Sequence, residues 1–158
     1  MTGKIAVGGI TRVDGLVKVR ILGAAAGHGL AGRTLSSLGL KGINLNCVTS
    51  FTDRAGANNL SFAIHADDLD QTLGILQSLQ DEIQAGSVDY ERGCSSISIY
   101  GPHFSERPAI AGTVFEAMAD VGVEILMIST SFSTVSFLTR TDQTEAAIAR
   151  LHEDFLVP

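Results

Sequence analysis

The sequence contains few of the residues on which disulfide-rich, metal-binding or nucleic-acid-binding proteins depend. It has no tryptophan and only two cysteines, Cys47 and Cys94, which predict neither a disulfide framework nor a zinc site. Its 11 lysines and arginines against 17 aspartates and glutamates give a net charge of −6, the wrong sign for binding phosphate backbones. No apolar run is long enough to span a bilayer, and no signal peptide opens the chain. We therefore expect a cytoplasmic protein without a nucleic-acid or membrane partner.

What the sequence does contain is typical of one or two small packed domains. Its 158 residues are 45% apolar and 18% charged, against about 25% charged in an average globular protein. Aromatic residues make up only 6%, so the expected core is built from aliphatic side chains. Glycine occurs 17 times, which favours tight turns and close backbone contacts.

An internal repeat is the most informative feature of the chain. When the sequence is compared with itself at an offset of 80, residues of similar size coincide between the ranges 30–48 and 110–128. Beyond these ranges the offset falls to 75, because the first copy carries about five extra residues around 52–58. A fixed offset between similar segments indicates a repeated structural unit.

Each copy is predicted to contain a strand, a helix, two strands and a second helix. Alternating apolar residues such as Val17, Val19 and Ile21 indicate the first strand, and apolar residues at helical spacing follow it. The first copy ends in a further short strand over 87–91, whereas the second copy has only three residues left after Phe155.

A strand-like segment at the start of the chain, 4–10, belongs to neither copy and can supply the strand that the second copy lacks. We therefore predict an α+β protein of two ferredoxin-like βαββαβ units. The first unit spans 13–92, and the second consists of 1–12 plus 93–158. The first unit is thus inserted into the second.

A glycine-rich segment, Gly27-His28-Gly29-Leu30-Ala31-Gly32, has the GxGxxG spacing of a dinucleotide-binding loop. Three alanines separate it from the preceding strand, the second copy lacks the glycines, and the βαββ order does not build a parallel sheet. The favoured hypothesis is a loop that lets a ligand or partner approach the backbone closely. A small nicotinamide-dinucleotide-binding enzyme that uses Gly27–Gly32 is the alternative.

No set of residues indicates catalysis or metal binding. The histidines His28, His65, His103 and His152 are scattered, and no pair has metal-ligand spacing. The hydroxyl run 129–131 has neither the glycine elbow nor the accompanying histidine and acid of a serine nucleophile. We predict no catalytic residue, no metal and no cofactor.

The segment FEAMADVGVEILMISTS, Phe115–Ser131, resembles the second ACT unit in the regulatory region of aspartokinase, and the likeness extends from Val7 to Phe155. The resemblance implies interlocked ACT units that form a homodimer and bind lysine or threonine as a feedback inhibitor. It also implies a regulatory module without a kinase domain, acting through a catalytic aspartokinase chain. A ligand-free dimerisation or interaction module is a further alternative.

The predicted ligand site lies at the loop before the first helix of the first unit, where free helix amides suit a carboxylate and no acidic side chain repels one. The predicted contacts there are Gly27, His28, Gly29, Leu30 and Ala31, with Ile43 and Asn44 at the start of the next strand. The resemblance adds the hydroxyl residues Ser129, Thr130 and Ser131 across an interface.

Four residues depart from the family pattern around this site. Ala26 stands where the family has an acidic residue, and Ser50, Phe51 and Phe132 stand at polar family positions. We therefore expect a more apolar wall and weaker binding of lysine than in a typical member.

Overall fold

Four α-helices and eight β-strands are present in residues 3–102 and 104–158, the part of the chain that the computed structural model describes. His103 lies outside the described residues. In chain order the elements are β1 (Ile5–Ala6), β2 (Gly9–Ala24), α1 (Leu30–Leu40), β3 (Asn46–Thr52), β4 (Asn58–His65), α2 (Leu69–Ile83), β5 (Ser87–Tyr100), α3 (Ile110–Asp120), β6 (Met127–Thr130), β7 (Thr134–Arg140), α4 (Thr144–Asp154) and β8 (Phe155–Leu156).

The chain divides into two units whose boundaries fall within its two longest strands. The first unit is Gly15–Arg92, and the second consists of the residues up to Asp14 together with Gly93–Pro158. Both β2 and β5 therefore contribute residues to each unit. At each boundary the chain passes through a glycine with positive φ, 71° at Gly15 and 73° at Gly93, a conformation in which a side chain is strained.

In the first unit the strand order is β3-β4-β2-β5, and β4 pairs antiparallel with both of its neighbours. One face of this sheet packs against α1 and α2, because the apolar residues of the strands alternate and those of the helices recur every three or four positions. The core of this unit contains the opposed pairs Val17 and Ile64, Val19 and Phe62, and Ile21 and Leu60, covered by Leu30, Leu38, Leu76 and Ile83.

In the second unit the strand order is β2-β5-β7-β6, with β7 antiparallel to both β5 and β6. The helices α3 and α4 cover one face, and their buried residues Val114, Met118 and Leu151 share a core with Ile97 and Phe137 of the sheet. As the small aromatic content predicts, this core is mainly aliphatic.

The N-terminal segment completes the second unit, and the predicted fold class is confirmed. β1 pairs in parallel with β8, and the Val7 N–H donates to the Leu156 carbonyl over 3.0 Å. Val7 is 6% exposed and packs in the core of the second unit, and the Gly8 N–H donates to the Tyr100 carbonyl over 2.6 Å.

The strand boundaries differ from the predictions in three places. The segment 4–10 is predicted as one strand, but its residues 5–6 form β1 and its residues 9–10 begin β2. The strand β2 then continues through the strand predicted from residue 17. The strand predicted over 87–91 continues as β5 to Tyr100. A two-residue strand, β8, also forms after α4, where the sequence offered too few residues to predict one. Each long strand contains a glycine with positive φ, Gly15 in β2 and Gly93 in β5.

No helix within the described residues is long and apolar enough to cross a membrane. Over the same residues, no group of three or more His, Cys, Asp or Glu side chains is placed to hold a metal ion.

Candidate functional site

A cleft of about 530 Å³ lies in the first unit. It is bounded by the start of α1, the end of β3 and the start of β4. We call it the α1 cleft. None of its ten lining residues carries a charged side chain; they are Gly29, Leu30, Ala31, Gly32, Ser50, Phe51, Thr52, Asn58, Asn59 and Leu60.

The glycine loop leaves the start of α1 without a capping side chain. Gly29, with φ at 65°, is the residue before the helix, and the first turn contains no acidic residue. Since the first N–H groups of an α-helix have no partner within the helix, those of Leu30, Ala31 and Gly32 form a donor group with partial positive charge. This end of the cleft is suited to an anion such as a carboxylate.

Arg33 secures the loop that precedes these amides. Its Nε donates to the His28 carbonyl over 3.1 Å, and its Nη1 lies 2.9 Å from Oε2 of Glu82 on α2. The Arg33 N–H donates to the Gly29 carbonyl and begins the helical hydrogen-bond series. The loop is thus held from both α1 and α2.

Asn59 fixes the opposite wall of the cleft. Its side chain is buried, with the residue 3% exposed; Oδ1 accepts the Gly23 N–H over 2.9 Å, and Nδ2 lies 3.3 Å from both Asp53 Oδ2 and the Phe51 carbonyl. One amide therefore joins the end of β2 to β3 and to the loop that follows it.

Asp53 orders the loop between β3 and β4, which contains the extra residues of the first copy. Its Oδ1 accepts the N–H groups of Ala55 and Ala57 over 2.9 and 3.0 Å. The hydrogen bond from Asn59, followed by those from the backbone, lowers the pKa of Asp53 below its ordinary value. Both oxygens of this carboxylate therefore accept hydrogen bonds within the β3–β4 hairpin.

The strand register decides which side chains of the hairpin lie on the α1 side of the sheet. Ser50 lies opposite Leu60, and Thr52 lies opposite Asn58. Residues directly opposite each other share a face, and Leu60 is in the helix-covered core, so the hydroxyls of Ser50 and Thr52 are on that face. The side chain of Phe51 lies on the other face of the sheet and is 60% exposed. The ring of Phe51 therefore does not form the apolar wall that is expected on the α1 side.

Three of the predicted contacts line the α1 cleft, namely Gly29, Leu30 and Ala31. Gly27 and His28 precede them in the loop and are not part of the lining. Ile43 is a buried core residue, 4% exposed, and Asn44 is an exposed residue before β3, so neither lines the cleft. The 11 residues of α1 span about 16 Å. The segment that follows α1 therefore starts far from the N-terminus of the helix, and only the end of β3 lies beside that N-terminus.

Sequence reasoning therefore missed the hairpin side of the cleft. It identified Ser50 and Phe51 only as departures from a family pattern, and did not identify Thr52, Asn58, Asn59 or Leu60. The available signal was the antiparallel return of β3 along α1, which puts the residues just before and after the loop 53–57 beside the helix start.

The hydroxyl residues predicted from the resemblance lie in the second unit. Ser129 and Thr130 are on β6, where Ser129 lies opposite Ser136, and the Ser131 N–H donates to the Thr134 carbonyl over 2.8 Å. Their role as ligand contacts stays a prediction. Phe132, which follows them, is 85% exposed.

The corresponding loop of the second unit is packed by an aromatic side chain. Phe104 is 8% exposed, and its ring lies so close to Gly101 that a Cβ there would overlap it. The Ile110 N–H at the start of α3 donates to the Arg107 carbonyl over 3.1 Å. The second unit thus fills this loop with its own residues, whereas the first unit has glycines there.

The sheet does not support the dinucleotide hypothesis. In a dinucleotide-binding unit the glycine loop joins two parallel neighbouring strands through a helix. Here β2 and β3 are separated by β4, which is antiparallel to both. The GxGxxG spacing of Gly27–Gly32 is therefore not part of a Rossmann unit.

Comparison with known sequences finds the ACT domain and aspartokinases. A model of the ACT domain matches residues 97–155, in the second unit. The aspartokinase of Geobacillus stearothermophilus is 30% identical over 155 residues, which are 98% of this chain but 37% of that protein. Aspartokinase 2 of Bacillus subtilis is 27% identical over 157 residues, again 98% of this chain and 38% of that protein. This chain therefore spans little more than a third of the length of these relatives.

Comparison with solved structures finds chains of nearly the same extent. A chain of the aspartokinase alpha and beta subunits is 28% identical with a TM-score of 0.85, covering 94% of this chain and 97% of that one. The ligand-free regulatory subunit of aspartate kinase from Thermus thermophilus has a TM-score of 0.86 at 22% identity, covering 95% and 99%. The second match shows the fold alone, and the first extends over both units of this chain.

Proposed function

We propose, from the premise that this chain is a tandem ACT-domain protein similar to the regulatory region of aspartokinases, that it binds an amino-acid effector and has no catalytic activity of its own. The observation that carries the proposal is the α1 cleft, in which uncapped helix amides face an uncharged wall. Lysine and threonine are the effectors that the resemblance implies.

The effector's carboxylate binds the first-turn amides of α1 in this proposal. The helix dipole and the absence of acidic residues in that turn favour the anion. Its ammonium has no carboxylate partner among the lining residues, so backbone carbonyls beside the cleft accept its hydrogen bonds. The second unit fills the corresponding loop with Phe104, and we therefore propose one effector per chain.

Regulation requires that the effector bind one state better than another. We propose that this difference arises through assembly with a second copy and with a catalytic aspartokinase chain. Within the first unit β3 is an edge strand, its end lines the α1 cleft, and unpaired edges favour strand pairing with a partner. The solved alpha and beta subunits of aspartokinase support a catalytic partner.

Calorimetric titration of the whole chain with the twenty amino acids, NAD and NADP tests the proposal. We expect binding of at least one amino acid, with one site per chain, and no binding of either dinucleotide. A chain that binds no amino acid contradicts the proposal and favours the dimerisation module, and binding of a dinucleotide alone favours the enzyme hypothesis.

A further inference from the structure

We propose that the first unit binds an extended segment of a partner protein in a groove beside β5, through an aromatic side chain flanked by basic residues. The groove has a volume of about 350 Å³ and lies between Leu73, Gln77 and Gln80 of α2 and the start of β5, which contributes Val88 and Tyr90. We call it the β5 groove. In the strand order β3-β4-β2-β5 it lies at the opposite edge of the sheet from β3, whose end lines the α1 cleft. It is therefore distinct from the proposed effector site.

The β5 groove leaves apolar side chains accessible on the helix side of the sheet. Val88 and Tyr90 are 39% and 49% exposed, and as alternate residues of a strand they lie on one face. That face is the one on which α2 packs, because both residues line the groove together with Leu73 and Leu76 of α2. No charged side chain is part of the lining.

The second unit fills the matching position with its own chain. At the offset of 75 that relates the two copies in this region, Leu76 corresponds to Leu151. At the same offset, Gln80 corresponds to Phe155. Phe155 is 1% exposed and packs in the core of the second unit, whereas Gln80 is an exposed residue of α2. The place that a phenyl ring takes in the second unit is therefore without a ring in the first.

The residue before the edge strand differs between the units in the same way. The N–H groups of Gly86 and Gly8 each donate to a carbonyl of the neighbouring long strand, over 3.0 and 2.6 Å. These equivalent hydrogen bonds match Ala85 to Val7, the residues that precede the two glycines. Val7 packs in the core of the second unit, whereas the smaller Ala85 lines the β5 groove. The groove is thus the space left by smaller or polar residues at two matched positions.

The adjoining strand edge favours an extended occupant. Pairing between β5 and β7 begins at Cys94, so residues 87–90 have no neighbouring strand on that side within 3–102 and 104–158. Such an edge accepts an added strand through backbone hydrogen bonds, while alternate side chains of that strand enter adjacent pockets. An extended segment that pairs with β5 can therefore place one side chain in the groove. The matching position of Phe155 indicates that this side chain is aromatic.

The charge around the β5 groove favours basic residues on each side of that aromatic side chain. Residues 69–92 contain five acidic residues and a single basic one, Arg92. Three of the acidic residues, Asp70, Asp81 and Glu82, are on α2, which has no Lys or Arg. Opposite charges on a partner accelerate the encounter and orient it.

A labelled peptide, Lys-Lys-Phe-Leu-Val-Lys, tests the proposal when its fluorescence anisotropy is followed during titration with the whole chain. Its apolar core has the order Phe-Leu-Val of residues 155–157. We expect saturable binding that weakens at least about tenfold when the peptide's Phe is replaced by Ala, and that also weakens when its lysines are replaced by Glu. Absence of saturable binding overturns the proposal. Displacement of the peptide by an equal concentration of free phenylalanine overturns it in favour of a small-molecule site.

Two matched variants locate the binding. Gln80→Phe supplies the ring that the second unit has at this position, and it should weaken peptide binding at least about tenfold. Gln71→Phe puts the same ring at an exposed position of α2 outside the lining and should bind the peptide as the parent does. Equal peptide binding by Gln80→Phe and the parent, both folded by thermal unfolding, overturns the proposal. Sedimentation in which only Gln80→Phe abolishes self-association of the chain assigns the groove to a second copy and also overturns it.

Discussion

Gly32 offers a direct perturbation of the proposed carboxylate site. It is the third residue of α1, it lines the α1 cleft, and a Cβ built there meets no atom within 4 Å. Gly32→Asp therefore introduces a carboxylate beside the first-turn amides without a steric clash. Gly112 is the third residue of α3 and is equally unhindered, so Gly112→Asp is a matched control in the second unit.

The two variants should agree in stability and differ in binding. Both replace a helical glycine and place a negative charge in a first helical turn, which stabilises by about 0.3–1 kcal/mol. For a chain of this size that corresponds to an increase in Tm of about 1–4 °C. Only Gly32→Asp places charge where the effector carboxylate binds, and loss of a charged hydrogen bond costs about 1.5–3 kcal/mol.

Calorimetric titration with the best-binding amino acid measures the difference. Gly32→Asp should weaken binding about 10- to 100-fold, whereas Gly112→Asp should bind as the parent does. Equal affinity of Gly32→Asp and the parent, with both folded, refutes the assignment of the carboxylate to the first turn of α1.

Three further predictions concern stability. Asn59→Ala removes the buried amide that joins three segments and should lower the free energy of unfolding in urea by about 1–3 kcal/mol; an unchanged value contradicts its joining role. Gly101→Ala should destabilise by about 1–3 kcal/mol, because its Cβ overlaps the Phe104 ring, whereas Gly112→Ala should not destabilise. The pKa of Asp53 is lowered in the folded state, so its contribution to the free energy of unfolding is present above about pH 4 and is lost as the pH falls through the lowered pKa. Asp53→Asn should therefore lose less stability than the parent on acidification. Parallel plots of the free energy of unfolding against pH for the two proteins would contradict this.

The repeat and its glycines predicted most of the fold. Gly42 and Gly122 follow the ends of α1 and α3 with φ of 73° and 70°, as expected where a left-handed residue terminates a helix. The continuity of β2 and β5 could not be predicted, because Gly15 and Gly93 resemble strand ends in the sequence. A glycine in a strand is compatible both with a strand end and with a local irregularity in a continuous strand, and the local sequence does not distinguish the two.

The candidate site was predicted only on its helix side. The glycines before Leu30 indicate an exposed helix start from local sequence alone. The opposite wall depends on Asn59, whose partners Gly23 and Asp53 come from two other segments, and on the register that places Ser50 opposite Leu60. Such pairings are tertiary and leave no periodic signal in the sequence.

Amide chemical shifts during titration of the isotope-labelled whole chain test whether the α1 cleft is the effector site. With threonine or the best-binding amino acid, we expect the N–H signals of Leu30, Ala31 and Gly32 to move most strongly and to saturate at one effector per chain. An amino acid that binds while these three signals stay unmoved would contradict the claim that the α1 cleft is the effector site.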